Sequence, residues 1–246
     1  IVATIGPASN NKEMLKALAR EGVDVFRLNF SHGKHEDHQK VINYIREINK
    51  ELGTHIAILQ DLQGPKIRVN EMQPDIEIKA GDTITITTKE VLGNKDLVST
   101  SYEGLPDDVK VGDMILIDDG KIELRVKDVR GVEVTCTVIY GGPLKSRKGI
   151  NLPFSKVSAP SLTEKDLEDL KFGLKNKVDW VALSFVRKAK DIQTLRDIIN
   201  EHKSTTRIVA KIEKPEALEN IDDIIAATDA VMVARGDVGV EIWMEE

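Results

Sequence analysis

Four stretches of the sequence carry charged or strongly polar side chains where an apolar strand would be expected to end. In Ala210-Lys211-Ile212-Glu213-Lys214-Pro215 the period of two along a strand puts Lys211 and Glu213 on one face, and Val233-Ala234-Arg235-Gly236-Asp237 closes a second apolar run on another carboxylate. Two carboxylates beside a lysine suit a hard divalent cation, which takes one or two carboxylates and fills its shell with substrate oxygens and water. The lysine adds a point charge for a phosphoryl group. The Lys211/Glu213 pair alone reads equally well as a structural salt bridge; Asp237, at a corresponding segment end, favours the chemical reading. In Val25-Phe26-Arg27-Leu28-Asn29-Phe30-Ser31-His32-Gly33 the same period puts Arg27, Asn29 and Ser31 on one face and Phe26, Leu28 and Phe30 on the other. A polar turn would account for Ser31 and His32 but not for an arginine inside the alternation. Gln60-Asp61-Leu62-Gln63-Gly64-Pro65-Lys66-Ile67-Arg68 adds Asp61, Lys66 and Arg68. An anionic substrate with a metal ion is the chemistry these groups suit.

Weaker candidates surround these. His32, His35 and His38 are spaced by three at a helix start, without the partner ligand a zinc cluster would need. Lys145-Ser146-Arg147-Lys148-Gly149 is either a phosphate contact or a solvated loop. Trp180 and Trp243 read as packing residues, and the sequence has no Walker loop.

Positioning these groups falls to alternating strands and helices. Strand Ile1 to Ile5 precedes a helix over Asn10 to Arg20, and Val23 to Phe30 precedes a helix over His35 to Leu52, whose Val41, Ile42, Ile45, Ile48 and Leu52 form one stripe. A third strand spans Ile56 to Leu62. From about Val69 to Pro153 the pattern becomes strict alternation, as in Thr83-Ile84-Thr85-Ile86-Thr87, with turns at Gly81-Asp82, Gly112-Asp113, Asp119-Gly120 and Gly141-Gly142, and helical periodicity disappears. Afterwards helices are expected over Glu164 to Lys175, Asp191 to His202 and Ala217 to Ala227, and strands over Trp180 to Val186, Arg207 to Glu213 and Ala230 to Ala234. Consecutive βα units require parallel strands and right-handed crossovers. A doubly wound sheet would carry a phosphate-binding glycine fingerprint after its first strand, which is missing. The expected fold is therefore an α/β (β/α)8 TIM barrel, incomplete here with six of eight strands, over residues 1–68 and 155–246, interrupted after the third strand by an all-β lid over 69–154. Chemistry in such barrels sits at the carboxyl ends of the strands, where the polar segments fall.

The 35 Lys and Arg against 41 Asp and Glu give a net charge of -6, which argues against a general nucleic-acid binder. The single Cys136 cannot form an intrachain disulfide, so a reducing compartment, the cytoplasm, is expected. No apolar run approaches the roughly 18 residues a membrane span needs. The opening in what reads as mid-strand and the ending on Glu245-Glu246 suggest a fragment.

Thr4-Ile5-Gly6-Pro7-Ala8-Ser9, Arg27 through Gly33, Gly64-Pro65-Lys66-Ile67-Arg68, Lys211-Ile212-Glu213 and Met232-Val233-Ala234-Arg235-Gly236-Asp237, with Asp118-Asp119-Gly120 in the lid and Leu162-Thr163-Glu164-Lys165-Asp166 at the return, together resemble the pyruvate kinase family. The resemblance implies phosphoryl transfer from phosphoenolpyruvate to ADP, giving pyruvate and ATP. Lys211 and Arg27 would act on the transferring phosphoryl group. Glu213 and Asp237 would hold Mg2+, for which Mn2+ can substitute. Asn29, His32, Arg68, Lys165 and Gly236 would contact nucleotide or substrate, with Ser184 behind them. Asn29, Ser31 and Asp61 match a monovalent-cation position, but a threonine of many family members is Leu62 here and a nearby glutamate is Lys66. Gln63 and Val69 also fit the subgroup that works without K+, so no K+ requirement is expected. Trp243 stands where the family usually has proline. A full-length homotetramer is implied, and the 246-residue chain alone is expected to be poorly active or inactive. A Mg2+-dependent aldolase or lyase acting through a pyruvate enolate, and a degenerate non-catalytic paralogue, are the competing readings.

Overall fold

The computed structural model describes residues 1–153, 155–236 and 239. They form two compact units, one of Ile1–Pro65 with Ser161–Ala234 and one built on Lys66–Pro160. The first opens with β1 (Val2–Thr4), α1 (Lys12–Arg20), β2 (Val25–Asn29), α2 (His35–Leu52) and β3 (Ala57–Asp61). Helix α1 starts where the Asn11 side chain accepts a hydrogen bond from Met14 N, two residues inside the expected Asn10 start. Its Leu15 and Ala19 are buried, as are Val41, Ile42, Ile45 and Ile48 of α2.

The inserted unit contains β4 (Glu77–Ile78), β5 (Thr83–Thr87), β6 (Leu97–Ser99), α3 (Leu105–Asp108), β7 (Met114–Ile117), β8 (Ile122–Arg130), β9 (Glu133–Tyr140), β10 (Gly142–Pro143) and β11 (Ile150–Asn151). Six of these strands form one sheet in the order β11-β7-β8-β9-β5-β6, and β10 pairs with β4. The alternation in β5 is real, with Ile84 and Ile86 fully buried. Lys66 and Arg68, placed with the barrel segment on sequence grounds, run with this unit: Ile67 joins its core, Ile150 N donates to Ile67 O, and Arg68 bridges Gly149. The sequence expectation of no helix here fails at α3, a single turn with Pro106 in its first turn. Four residues carry no periodicity to read.

The chain returns through α4 (Glu164–Lys175), β12 (Trp180–Leu183), α5 (Ala189–Glu201), β13 (Arg207–Ile212), α6 (Pro215–Glu219), α7 (Ile221–Ala227) and β14 (Ala230–Val233). Thr163 and Asp166 close a reciprocal capping box at the start of α4. The single helix expected over Ala217 to Ala227 is instead broken at Asn220. Its side-chain amide donates to Glu216 O at 2.8 Å and to Arg187 O at 3.1 Å, occupying the carbonyl that a continuous helix would bond through the backbone.

The described strands of this unit pair in the order β1-β2-β3-β12-β13-β14, all parallel and with no reversal. A doubly wound sheet reverses its order at a switch point; a barrel does not. One face packs against the helices through Phe26, Leu28, Phe30, Ile58, Val181 and Ile208, among others. The other carries a small cluster of Leu59, Ala182 and Val209, flanked by Val25, Trp180, Ala230 and Met232. Among the described residues no helix is long and apolar enough to cross a membrane.

Candidate active site

The small apolar cluster fixes what lies beyond it. Two residues further along each strand, on the same face, come Arg27 and then Asn29 after Val25, Asp61 after Leu59, Ser184 after Ala182, and Lys211 and then Glu213 after Val209. The parallel register sets Asn29 opposite Asp61, and Asp61 opposite Ala182. Apolar residues thus fill the lower tier and polar groups collect at the carboxyl ends, as the sequence pattern predicts.

Lys211 is at the centre of the group. Its Nζ lies 2.9 Å from Glu213 Oε1 and 3.3 Å from Asp61 Oδ1, and donates to Ser184 Oγ at 2.8 Å. Ser184 Oγ in turn donates a hydrogen bond to Leu62 O at 2.7 Å. Burial by itself pulls the Lys211 ammonium towards lower pKa, but the Asp61 and Glu213 carboxylates more than offset it, leaving the value above that of an ordinary lysine. Arg27 grips the other Asp61 oxygen, with Nε at 2.6 Å and Nη2 at 2.5 Å from Oδ2, and its Nη1 donates to Thr4 Oγ1 at 2.9 Å. Thr4 and the direct Arg27–Asp61 pair were not anticipated from the sequence; only the strand register brings them together.

Glu213 is held from a second direction, by Phe185 N donating to Oε2 at 2.6 Å. Phe185 has φ +54°, a left-handed backbone that bulky side chains rarely adopt. It follows Ser184 and packs beside Gly64. A Cβ built on Gly64 would lie 2.9 Å from both Phe185 Cδ2 and Ser184 Cβ, and Gly64 N donates to Asp166 Oδ1 at 3.0 Å. The sequence shows Gly64 only as part of the Gly64-Pro65-Lys66-Ile67-Arg68 motif and holds no sign of the role of Phe185.

Lys165, expected to contact nucleotide or substrate, is tied to Asp169 Oδ2 at 2.5 Å and to Phe30 O at 2.8 Å. Asp169 Oδ1 faces His35 Nε2 at 2.6 Å. His38 stacks on Phe30 with ring centroids 4.1 Å apart, and burial lowers its pKa. His32, His35 and His38 therefore do not converge on a metal. Asn29 and His32 border a cavity of about 720 Å3, together with Gly6, Asp37, Lys40 and Tyr44. That is a volume suited to a small-molecule ligand.

Arg27, Asp61, Ser184, Lys211 and Glu213 thus form one bonded group. Asn29 lies beside it, its Oδ1 accepting from Ser31 N. Lys66 and Arg68 belong to the inserted unit, where Arg68 donates to Arg147 O. Gly236 follows β14 and is exposed. Asp237 and Trp243 lie outside the described residues.

Arg27 and Lys211 against Asp61 and Glu213 give a balanced set of charges, so an incoming polyanion finds no surplus positive charge among them. Glu213 offers hard oxygen donors with no thiolate or imidazole in the bonded group, which fits Mg2+ or Mn2+ with substrate oxygens completing the shell. Among the described residues no group of three or more His, Cys, Asp or Glu could hold a metal by itself.

Comparison with known proteins identifies the family. The family described as "Pyruvate kinase, barrel domain" matches residues 1–246. Pyruvate kinases of Staphylococcus aureus strains MRSA252 and USA300 are each 47% identical over 249 residues, covering 100% of this chain and 43% of their own length. A crystal structure of a pyruvate kinase from Cryptosporidium parvum superposes with a TM-score of 0.94 at 41% identity, covering 99% of this chain and 52% of that one. The chain spans less than half the length of these curated relatives. With parallel strands in sequential order, an all-β insertion after the third and a family match along its whole length, the chain belongs to the pyruvate kinase family.

Proposed function

We propose that this chain is the catalytic part of an enzyme that transfers the phosphoryl group of phosphoenolpyruvate to ADP, yielding pyruvate and ATP in glycolysis. The observation that carries the reading is the Lys211 ammonium, buried at the strand ends between Glu213, Asp61 and Ser184 and kept charged by the two carboxylates. Such a charge, fixed before substrate arrives, lowers the cost of negative charge developing on the transferring phosphoryl group and on the enolate left behind. Arg27 uses three of its N–H groups on Asp61 and Thr4 and keeps others for a phosphate oxygen. Glu213 and Asp237 would hold Mg2+ or Mn2+, which supplies Lewis-acid polarisation of substrate oxygens and the positive charge that the balanced quartet lacks. The cavity beside Asn29 and His32 suits the nucleotide, with Lys165 as a further candidate contact; for Arg68 and Gly236 the family resemblance alone implies a nucleotide or substrate contact.

Replacing Lys211 with Met should lower ATP formation in a coupled assay by a factor of about 100 to 1,000, the scale of losing one transition-state donor. A loss under about threefold would reject the assignment, and ATP formation itself separates this reading from a lyase.

K+ is not required on this reading. The oxygens at the monovalent-cation position already accept hydrogen bonds: Asn29 Oδ1 from Ser31 N, Leu62 O from Ser184 Oγ, and Asp61 from Arg27 and Lys211. Lys66 stands in place of the usual glutamate, and an ammonium can supply the positive charge that a monovalent ion otherwise brings. Turnover should survive replacement of K+ and Na+ by tetramethylammonium; a steep loss would contradict this. The intact assembly is read as a cytoplasmic homotetramer, which light scattering of the full-length protein tests.

A further inference from the structure

Phe185 combines two features that packing alone does not require. Its φ is +54°, and its backbone N–H donates to Glu213 Oε2 at 2.6 Å. A non-glycine residue in this region is strained and persists only where its surroundings over-determine it. Here Gly64 supplies that restraint by leaving the space where the edge of the Phe185 ring sits, since a Cβ at Gly64 would come within 2.9 Å of Cδ2. Ser184 on one side and Val186 on the other are buried, which pins the flanking peptides. With both flanks held, a change of φ at Phe185 can be absorbed only by rotating the Ser184–Phe185 peptide, which would turn its N–H away from the carboxylate. The left-handed turn aims it at the carboxylate, whose other oxygen faces Lys211 at 2.9 Å. Glu213 is thereby fixed in rotation by a donor on each oxygen.

We infer that Phe185 is a positioning residue for Glu213: its ring, seated against Gly64, maintains a backbone turn whose N–H orients the carboxylate towards a divalent cation at the strand ends. This rests on reading Glu213 as a ligand of that cation. Groups that orient a metal's ligands typically change affinity by about 10- to 100-fold when removed.

The test is Mn2+ binding, followed by water-proton relaxation on the full chain, for the unaltered protein, E213Q, F185A and F185G. F185A removes the ring's hold and leaves a residue that disfavours the turn, so Mn2+ affinity should fall about 10-fold. F185G also loses the ring but adopts positive φ freely, and should stay within about threefold of the unaltered protein. That order, with the larger deletion milder, is opposite to what mere loss of packing predicts. The Phe185 amide proton should resonate far downfield and move upfield in E213Q. Should F185A fail to fold, F185L keeps most of the apolar volume with the same backbone bias and takes its place. If F185A and F185G both bind Mn2+ as the unaltered protein does, or if F185G is the weaker, the positioning role is overturned while Glu213 keeps its assignment. If E213Q binds Mn2+ undiminished, the metal reading of Glu213 fails and the inference falls with it.

Discussion

Substituting Gly64 with alanine tests the geometry of the strand ends without depending on any ligand. Gly64 has φ +69°, so an added Cβ brings backbone strain on the order of 1 kcal/mol. The same Cβ would also lie 2.9 Å from Phe185 Cδ2, 2.9 Å from Ser184 Cβ and 3.4 Å from Ser184 O. Ser184 cannot retreat cheaply, because its hydroxyl accepts from Lys211 and donates to Leu62 O. Overpacking of this kind typically costs about 1–3 kcal/mol. The sum is about 2–4 kcal/mol, and at about 2–4 °C per kcal/mol for a unit of this size the melting midpoint should fall by roughly 5–15 °C. Circular dichroism at 222 nm is a suitable monitor, since all described helices except the one-turn α3 belong to the first unit. Gly22→Ala is the control. Gly22 has φ +90° with nothing within 4 Å of its virtual Cβ, so it should show the backbone cost alone. A Gly64→Ala loss no larger than that of Gly22→Ala would refute the steric reasoning and the packing of Phe185 with it.

Asp61→Asn removes a carboxylate 3.3 Å from Lys211, so the ammonium should release its proton at lower pH and the alkaline limb of the rate profile should move down; an unmoved limb would contradict the coupling. His38 is buried enough that its pKa lies below the ordinary 6.5, so the unfolded chain takes up the proton first: its contribution is intact above about pH 6.5 and is lost as pH falls towards the folded value. His38→Phe, which keeps the stack on Phe30, should flatten that acid slope in urea titrations. Tyr102 OH bonds Asp108, meets Ser158 Oγ at 3.0 Å and accepts from Ala159 N at 3.1 Å, so Tyr102→Phe should cost about 1–2 kcal/mol and speed proteolysis around 155–160. Unchanged cleavage would show that the hydroxyl does not fasten this segment.

What could be read in advance follows from how local each signal is. The strand period put Lys211 with Glu213 and Arg27 with Asn29 because two-residue alternation is a property of one strand alone. The barrel reading was equally accessible, since parallel βα units leave few topologies. The Arg27–Asp61–Lys211 chain of contacts needed the register of neighbouring strands, which no single segment encodes. The break at Asn220 lies inside a plausible helical period, and its cause, a bond to Arg187 O, comes from a distant residue. Phe185 sits in Trp180-Val181-Ala182-Leu183-Ser184-Phe185-Val186, which reads as continuous strand; the strand ends at Leu183 and the turn is visible only in three dimensions.

Strand β13 carries Lys211, and Glu213 follows one residue beyond its end at Ile212. Both side chains owe their direction to a single alternation, so inserting or deleting one residue within Arg207–Ile212 would turn the ammonium and the carboxylate together towards the helices. The hairpin tip at Gly131 and Val132, both exposed between β8 and β9, has no such constraint. Natural length variation and laboratory linker insertions should therefore accumulate at that tip and be excluded from the six residues of β13.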